Sequence, residues 1–220
     1  MILVVIATLI LISVLTLWAM VTYCTPSVET FFDVSAPYIS VESVVRQANT
    51  GDVVLLGGDT IGERGIRWIT GCPFSHVAMV IRERGEVYLW EADLGQKTRD
   101  GPRVIRLIDK LALYSGFRVG GWKQLRNDQR PSEQDVLRCV EKMKTLEFDN
   151  VMLTWFVTYV YPLYALFKSP RTVFCTELII MTMQYLNMMS RDKIPAAFSP
   201  ADFFHSRFEV VFRPIRLFRF

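Results

Sequence analysis

The sequence predicts an α+β domain held behind one N-terminal transmembrane helix. Three observations carry that expectation. No Asp, Glu, Lys, Arg or His precedes Glu29, so all 25 basic and 22 acidic side chains of the 220-residue chain follow an uncharged N-terminal stretch. Short apolar runs bounded by glycine come next, as expected of buried strands, and apolar positions at helical spacing recur nearer the C-terminus. The length suits one ordinary domain and leaves little room for a second large one.

Ile2 to Tyr23 is about 22 uncharged residues, which as a helix would rise roughly 33 Å against a bilayer core of about 30 Å. Trp18 and Tyr23 stand where an aromatic belt would lie. The run lacks a basic segment before it and a small-x-small cleavage site, so a retained anchor is expected rather than a cleaved signal peptide. A buried core helix is disfavoured because a helix with no polar face would need cover on every side. The first Lys or Arg is Arg46, so loop charge gives no orientation. The expected organisation is an anchor over residues 1–24, a connector over 25–48 and a globular domain over 49–220, with the lipid bilayer as partner.

Within the connector, Val41 to Ala48 predicts a brief helix. Gly51-Asp52 followed by V-V-L-L predicts a turn into a buried strand that Gly57-Gly58 closes. Phe74 to Ile81 and Glu86 to Ala92 predict two strands joined by R-E-R-G, a hairpin signal. Val104 to Leu107 and Phe117 to Val119 are further short strands. Ser132 opens a helix with Glu133 and Asp135 in its first turn, where carboxylates suit the positive end, and Val136, Val140, Met143 and Leu146 recur on one face. Val151 to Phe167 is a second uncharged run of 17 residues, broken by Pro162, expected to be buried or membrane-facing rather than a second span. Thr172 to Met189 predicts the most apolar helix, and F-E-V-V-F at 208–212 is strand-like. Arg213, Arg216 and Arg219 are expected on a solvated strand edge.

A net charge of +3 with mixed signs offers no basic block, and no nucleic-acid partner is expected. Cys24, Cys72, Cys139 and Cys175 form no C-x-x-C pair and are expected as free thiols. With only two histidines, the scattered ligands disfavour a zinc site. L-G-G-D-T-I-G-E-R-G lacks the G-K-[ST] of a phosphate loop and is expected as a mobile rim of a cleft. Asp52 is expected to close its turn. Glu177 is expected to serve a helix N-terminus or line the cleft, without a catalytic role.

A thiol nucleophile needs a lowered pKa, which a helix N-terminus and a nearby imidazole supply. Cys175 follows the helix-disfavouring K-S-P-R at a predicted helix start, where free backbone N–H groups could also face an oxyanion. It is therefore expected to be the acidic thiol of the four. His76 lies in an apolar strand and taken alone is compatible with a packed core residue. Glu91 lies across the same hairpin, where a carboxylate could fix the imidazole tautomer. A pairing of residues whose numbers sum to 167 sets His76 opposite Glu91, 169 makes them diagonal neighbours on one face, and 168 puts them on opposite faces. The turn sequence leaves all three open.

The ordered set G-D-V-V-L at Gly51, S-H-V-A-M-V around His76, Y-L-W-E-A around Glu91, F-C-T-E-L-I around Cys175 and S-P-A-D-F at Ser199 resembles the circularly permuted papain-like thiol hydrolases. These are the YiiX-like branch of the NlpC superfamily, with lecithin retinol acyltransferase and poxviral relatives. The resemblance spans roughly Gly51 to Phe204 and implies a permuted papain-like fold, with an antiparallel sheet packed on helices. It implies Cys175 as nucleophile, His76 as general base and Glu91 as the orienting residue, with no cofactor and no metal. It does not extend to the N-C-E-H-F Cys motif of the acyltransferase branch. The implied activity is a thiol hydrolase or acyltransferase acting on an amide, ester or thioester in a peptide, acyl or lipid substrate, and the anchor expected from residues 1–24 would hold it at the membrane. A lipid-directed enzyme and a silent interaction or structural protein are the alternatives.

Overall fold

In the computed structural model the described residues are 2–32, 37–93, 101–114, 119–149, 169, 171–205, 208 and 211–220. The predicted run Val151 to Phe167 lies outside them. Helix α1 covers Ile2–Tyr23, and over Ile6–Tyr23 none of it is buried. It is long and apolar enough to cross a membrane. Three of its hydroxyls are satisfied within the helix: Ser13, Thr16 and Thr22 donate to carbonyls four residues back at 2.9, 2.8 and 2.8 Å. That satisfaction is what a lipid environment requires of every polar group.

The chain then forms α2 (Val28–Phe31), β1 (Ile39–Ser40), α3 (Val41–Gln47), β2 (Val53–Leu56), α4 (Ile61–Thr70), β3 (His76–Glu83), β4 (Glu86–Asp93) and β5 (Gly101–Arg106). It continues through α5 (Leu107–Ala112), β6 (Val119–Lys123), α6 (Glu133–Met143), β7 (Glu147–Phe148), β8 (Thr172–Val173), α7 (Cys175–Tyr185), α8 (Pro200–Phe204) and β9 (Arg216–Arg219). Seven strands form one sheet in the order β1-β9-β6-β2-β3-β4-β5, and β7 and β8 make a parallel pair. The sheet is not wholly antiparallel as expected, because its two-residue edge strand β1 runs parallel to β9.

Strand alternation divides the core in two. Val53, Leu55, Val77, Met79, Trp90 and Ala92 pack with α6, α7 and α8, whereas Val54, Leu56, Ala78, Val80 and Leu89 pack with α3 and α5. The V-G-G-W-K strand β6 keeps its glycines for a steric reason. A Cβ at Gly120 would lie 2.2 Å from the Phe218 ring of the neighbouring strand. Trp90 on β4 ties the sheet to α7 by donating its indole N–H to the Thr182 hydroxyl at 3.0 Å.

The structure differs from the sequence expectations at several elements. The glycine-rich segment expected as a mobile rim turns at Thr60 into α4, whose N-terminus is fixed by a reciprocal cap between Thr60 and Glu63. The helix expected over Thr172 to Met189 spans only Cys175–Tyr185, because Thr172 and Val173 pair with β7. Of the strand-like 208–212, Phe212 makes a single bridge to Leu125, and the final strand is β9. Arg216 and Arg219 are not on the sheet edge, since β1 and β6 flank β9; their guanidinium groups lie over the Trp122 and Tyr38 rings.

Candidate active site

The β3–β4 hairpin closes through Arg84 and Gly85, both with positive φ (50° and 88°), the signature of a two-residue type I′ loop. Such a loop pairs Glu83 with Glu86 and Met79 with Trp90, so paired numbers sum to 169. Carried to the open end of the hairpin, this register makes His76 and Glu91 diagonal neighbours on one face. Their side chains meet there, with His76 Nε2 at 2.8 Å from Glu91 Oε2.

Cys175 is the first residue of α7, preceded by Phe174 in an extended conformation. Glu177, on the third position of that helix, accepts from the Phe174 backbone N–H at 3.4 Å, the capping role expected of it. The thiol and the imidazole are electrostatic neighbours and line the same cavity. Burial and the Lys110 ammonium pull the His76 pKa down. The Cys175 charge and the hydrogen bonds to Cys175 and Glu91 outweigh them, and the pKa rises to about 10.

Glu91 is fully buried, and burial alone would raise its pKa. The His76 hydrogen bond and the His76 and Lys110 charges win, holding the carboxyl well below the usual carboxylate range. Its oxygens are saturated. Arg103 donates to Oε1 from Nε at 3.0 Å and from Nη2 at 2.8 Å, and the Lys110 ammonium stands 3.0 Å from Oε1 and 2.9 Å from Oε2. Lys110 also pairs with Asp93 at 2.5 Å, although only 1% of it is exposed. Two carboxylates thus face the Arg103 guanidinium and the Lys110 ammonium. The imidazole and thiol can then pass between neutral and ion-paired forms without stranding a net charge in the interior.

Sequence reasoning missed Lys110, Arg103 and Asp93. Arg103 is the cross-strand partner of Glu91, which becomes visible only once β4 and β5 are in register. Lys110 carried a readable signal. It shares a helix face with the buried Leu107 and Leu111, where an amphipathic pattern would place an apolar residue.

His76, Glu91 and Asp93 offer ligand atoms within 4.8 Å of one another, the arrangement a metal ion would use. The Lys110 ammonium already occupies the space between the two carboxylates, so the donor set suits its own cation better than a metal. Among the other cysteines, burial pushes Cys72 up to about 12 and raises Cys139. Asp52 closes its turn as expected, accepting from the Asn49 N–H at 3.0 Å. It also anchors the sheet by accepting from the Trp122 indole at 3.1 Å and the Leu125 N–H at 2.9 Å.

A cavity of about 680 Å³ opens over His76 and Cys175, and its far wall is built from α1 and α4. Tyr114 also faces it, and burial together with the Asp93 and Glu91 charges keeps its phenol protonated well above the ordinary tyrosine value.

No protein-family model matches this chain, and no curated protein matches it. Among solved structures, it is similar to the crystal structure of the metalloprotein YiiX from Escherichia coli O157:H7. That match has 16% sequence identity and a TM-score of 0.48, and covers 69% of this chain and 78% of that one.

Proposed function

We propose that this protein is a membrane-anchored thiol hydrolase of permuted papain-like architecture, with Cys175 as nucleophile, His76 as general base and Glu91 as the group that orients the base. One observation carries the reading. A thiol at the first position of a helix adjoins an imidazole whose far nitrogen is held by a buried carboxylate at 2.8 Å. Because Nε2 faces Glu91, Nδ1 is the nitrogen left to take the thiol proton.

The Cys175 sulfur then adds to the carbonyl carbon of an ester, thioester or amide. The backbone N–H groups of the first turn of α7, which the helix does not use, face the developing oxyanion. The tetrahedral adduct collapses as the bond to the leaving group breaks, and the imidazolium hands its proton to that group. Water attacks the resulting thioester with His76 again as base, releasing the acid and regenerating the thiol.

The test is turnover of p-nitrophenyl acetate by the full chain in detergent. Cys175→Ala should abolish the thioester and the turnover, and His76→Ala should lower kcat/KM by about 10²–10⁴-fold, the usual contribution of a positioned base. Turnover that survives Cys175→Ala would remove Cys175 as the nucleophile, and absence of turnover in the wild type would leave the fold as a silent interaction module.

A further inference from the structure

We infer that Lys110 is a positioning residue of the reaction proposed above: its ammonium shares the Glu91 oxygen that holds His76, limits the grip of that carboxylate on the imidazolium, and so releases the imidazolium proton to the leaving group. The inference rests on the thiol-hydrolase reading and names the group that governs proton transfer at that site. The contacts on Glu91 are divided by oxygen. Arg103 places both of its donors on Oε1, from Nε at 3.0 Å and from Nη2 at 2.8 Å. Oε2 instead takes the His76 ring at 2.8 Å and the Lys110 ammonium at 2.9 Å. When the ring is protonated, two cations draw on that one oxygen. They also repel each other across it, and at a buried site water screens that repulsion little.

Neutralising Glu91 does not require an ammonium at that oxygen, because the Arg103 guanidinium already compensates the carboxylate through Oε1. Lys110 is nevertheless fixed there from three sides: by Glu91, by Asp93 at 2.5 Å and by the Tyr114 ring, whose centroid lies 5.5 Å from Nζ. The charged and titratable groups around His76 are Cys175 from α7, Glu91 from β4 and Lys110 from α5, with Asp93 of β4 and Arg103 of β5 behind Glu91. Burial opposes the protonated ring most and Lys110 next, while Cys175 and Glu91 favour it. A general acid works best when its proton is held neither too tightly nor too loosely. An imidazole with only a thiolate and a carboxylate for company would hold its proton too tightly, and Lys110 is the charge that loosens it.

The step at issue is collapse of the tetrahedral adduct on Cys175. The ester carbon–oxygen bond breaks, its electron pair goes to the departing oxygen, and the proton on His76 Nδ1 passes to that oxygen. The ring is left neutral, with Nε2–H still donating to Glu91 Oε2. Lys110 exchanges no proton in the step and acts only through Glu91 and its own charge.

The experiment uses the full chain in detergent and compares kcat/KM for p-nitrophenyl, phenyl and ethyl acetate, a series in which the departing oxygen needs a proton increasingly. Lys110→Met should lower kcat/KM for the poorest leaving group that the wild type turns over at least about tenfold more than for p-nitrophenyl acetate. Lys110→Arg, which keeps the charge, should recover most of that difference. Lys110→Gln, a donor without charge, is the second variant should Lys110→Met fail to fold, and circular dichroism identifies the folded ones. A role confined to stability would lower all the esters alike. Parallel losses in a folded variant would therefore overturn the inference, as would no loss at all. A wild type that turns over p-nitrophenyl acetate alone would show that His76 delivers no proton, and would overturn it too. Turnover that persists in Cys175→Ala, or none in the wild type, would instead remove the hydrolase reading, and the role of Lys110 with it.

Discussion

Burial does not distinguish Cys175 from the other buried thiols, since Cys72, Cys139 and Cys175 all expose less than a tenth of their surface. Neighbours do. Burial outweighs the nearby charges and pushes Cys72 up to about 12 and raises Cys139, whereas Cys175 stands at a helix N-terminus against an imidazole. Iodoacetamide at mildly acidic pH should label Cys175 before Cys72 and Cys139, and His76→Ala should slow that labelling. Faster reaction of either buried cysteine would reverse the assignment of the nucleophile. His76 makes a second prediction at this scale. Its pKa rises from 6.5 to about 10 on folding, because the Cys175 charge and the hydrogen bonds to Cys175 and Glu91 outweigh burial and Lys110. The folded state therefore binds the proton more tightly than the unfolded one. The stabilisation is full below about pH 6.5 and is lost as pH climbs towards 10. Thermal melts should show Tm falling across that window in the wild type, with a flatter profile in His76→Gln. Parallel profiles would mean that His76 titrates alike in both states.

At the scale of elements, α5 delivers the cation that makes a buried Glu91 affordable. Removing one partner of a buried ion pair costs about 3–5 kcal/mol, and because Asp93 keeps partial solvent access the lower end applies here. Lys110→Met should therefore destabilise the protein by about 3 kcal/mol in denaturation followed by circular dichroism. A loss below about 0.5 kcal/mol, the size of an ordinary surface substitution, would show that the ammonium is solvated in solution. The β3–β4 hairpin and α7 were legible in the sequence, because V-V-L-L, H-V-A-M-V and V-Y-L-W-E-A are bounded by glycine and the F-C-T-E-L-I run follows a breaker. The helix α4 was not. Its two glycines favour a loop on propensity alone, and the Thr60–Glu63 cap that starts it is easily overlooked among them.

For the whole molecule, α1 leaves the globular part on the side of the cavity, and its last turns pack beside α4. An unburied apolar helix of this length is long and apolar enough to cross a bilayer. The full chain should remain in the membrane pellet after carbonate extraction, and recovery in the soluble fraction would count against an anchor. Anchor and site are then mechanically linked, because the segment expected to hold the protein at the membrane also closes the wall of its cavity.

The N-terminal helix, the strands of the hairpin and the start of α7 could be read from the residues themselves, and the family resemblance singled out Cys175, His76 and Glu91. Hydrophobic run length and the glycines that bound apolar runs are local properties that a chain displays before it folds. The hairpin register, the ion pairs of Lys110 and Arg103 with Glu91, and the cavity between α1 and α4 were decided only by tertiary structure. Register turned on the left-handed backbone of Arg84 and Gly85, which the sequence R-E-R-G permits without requiring. The ion pairs join residues 12 and 19 positions apart along the chain, through strand pairing and helix docking that no local pattern encodes. The cavity is space between two helices separated by 37 residues, and what two surfaces fail to fill is settled only when they meet.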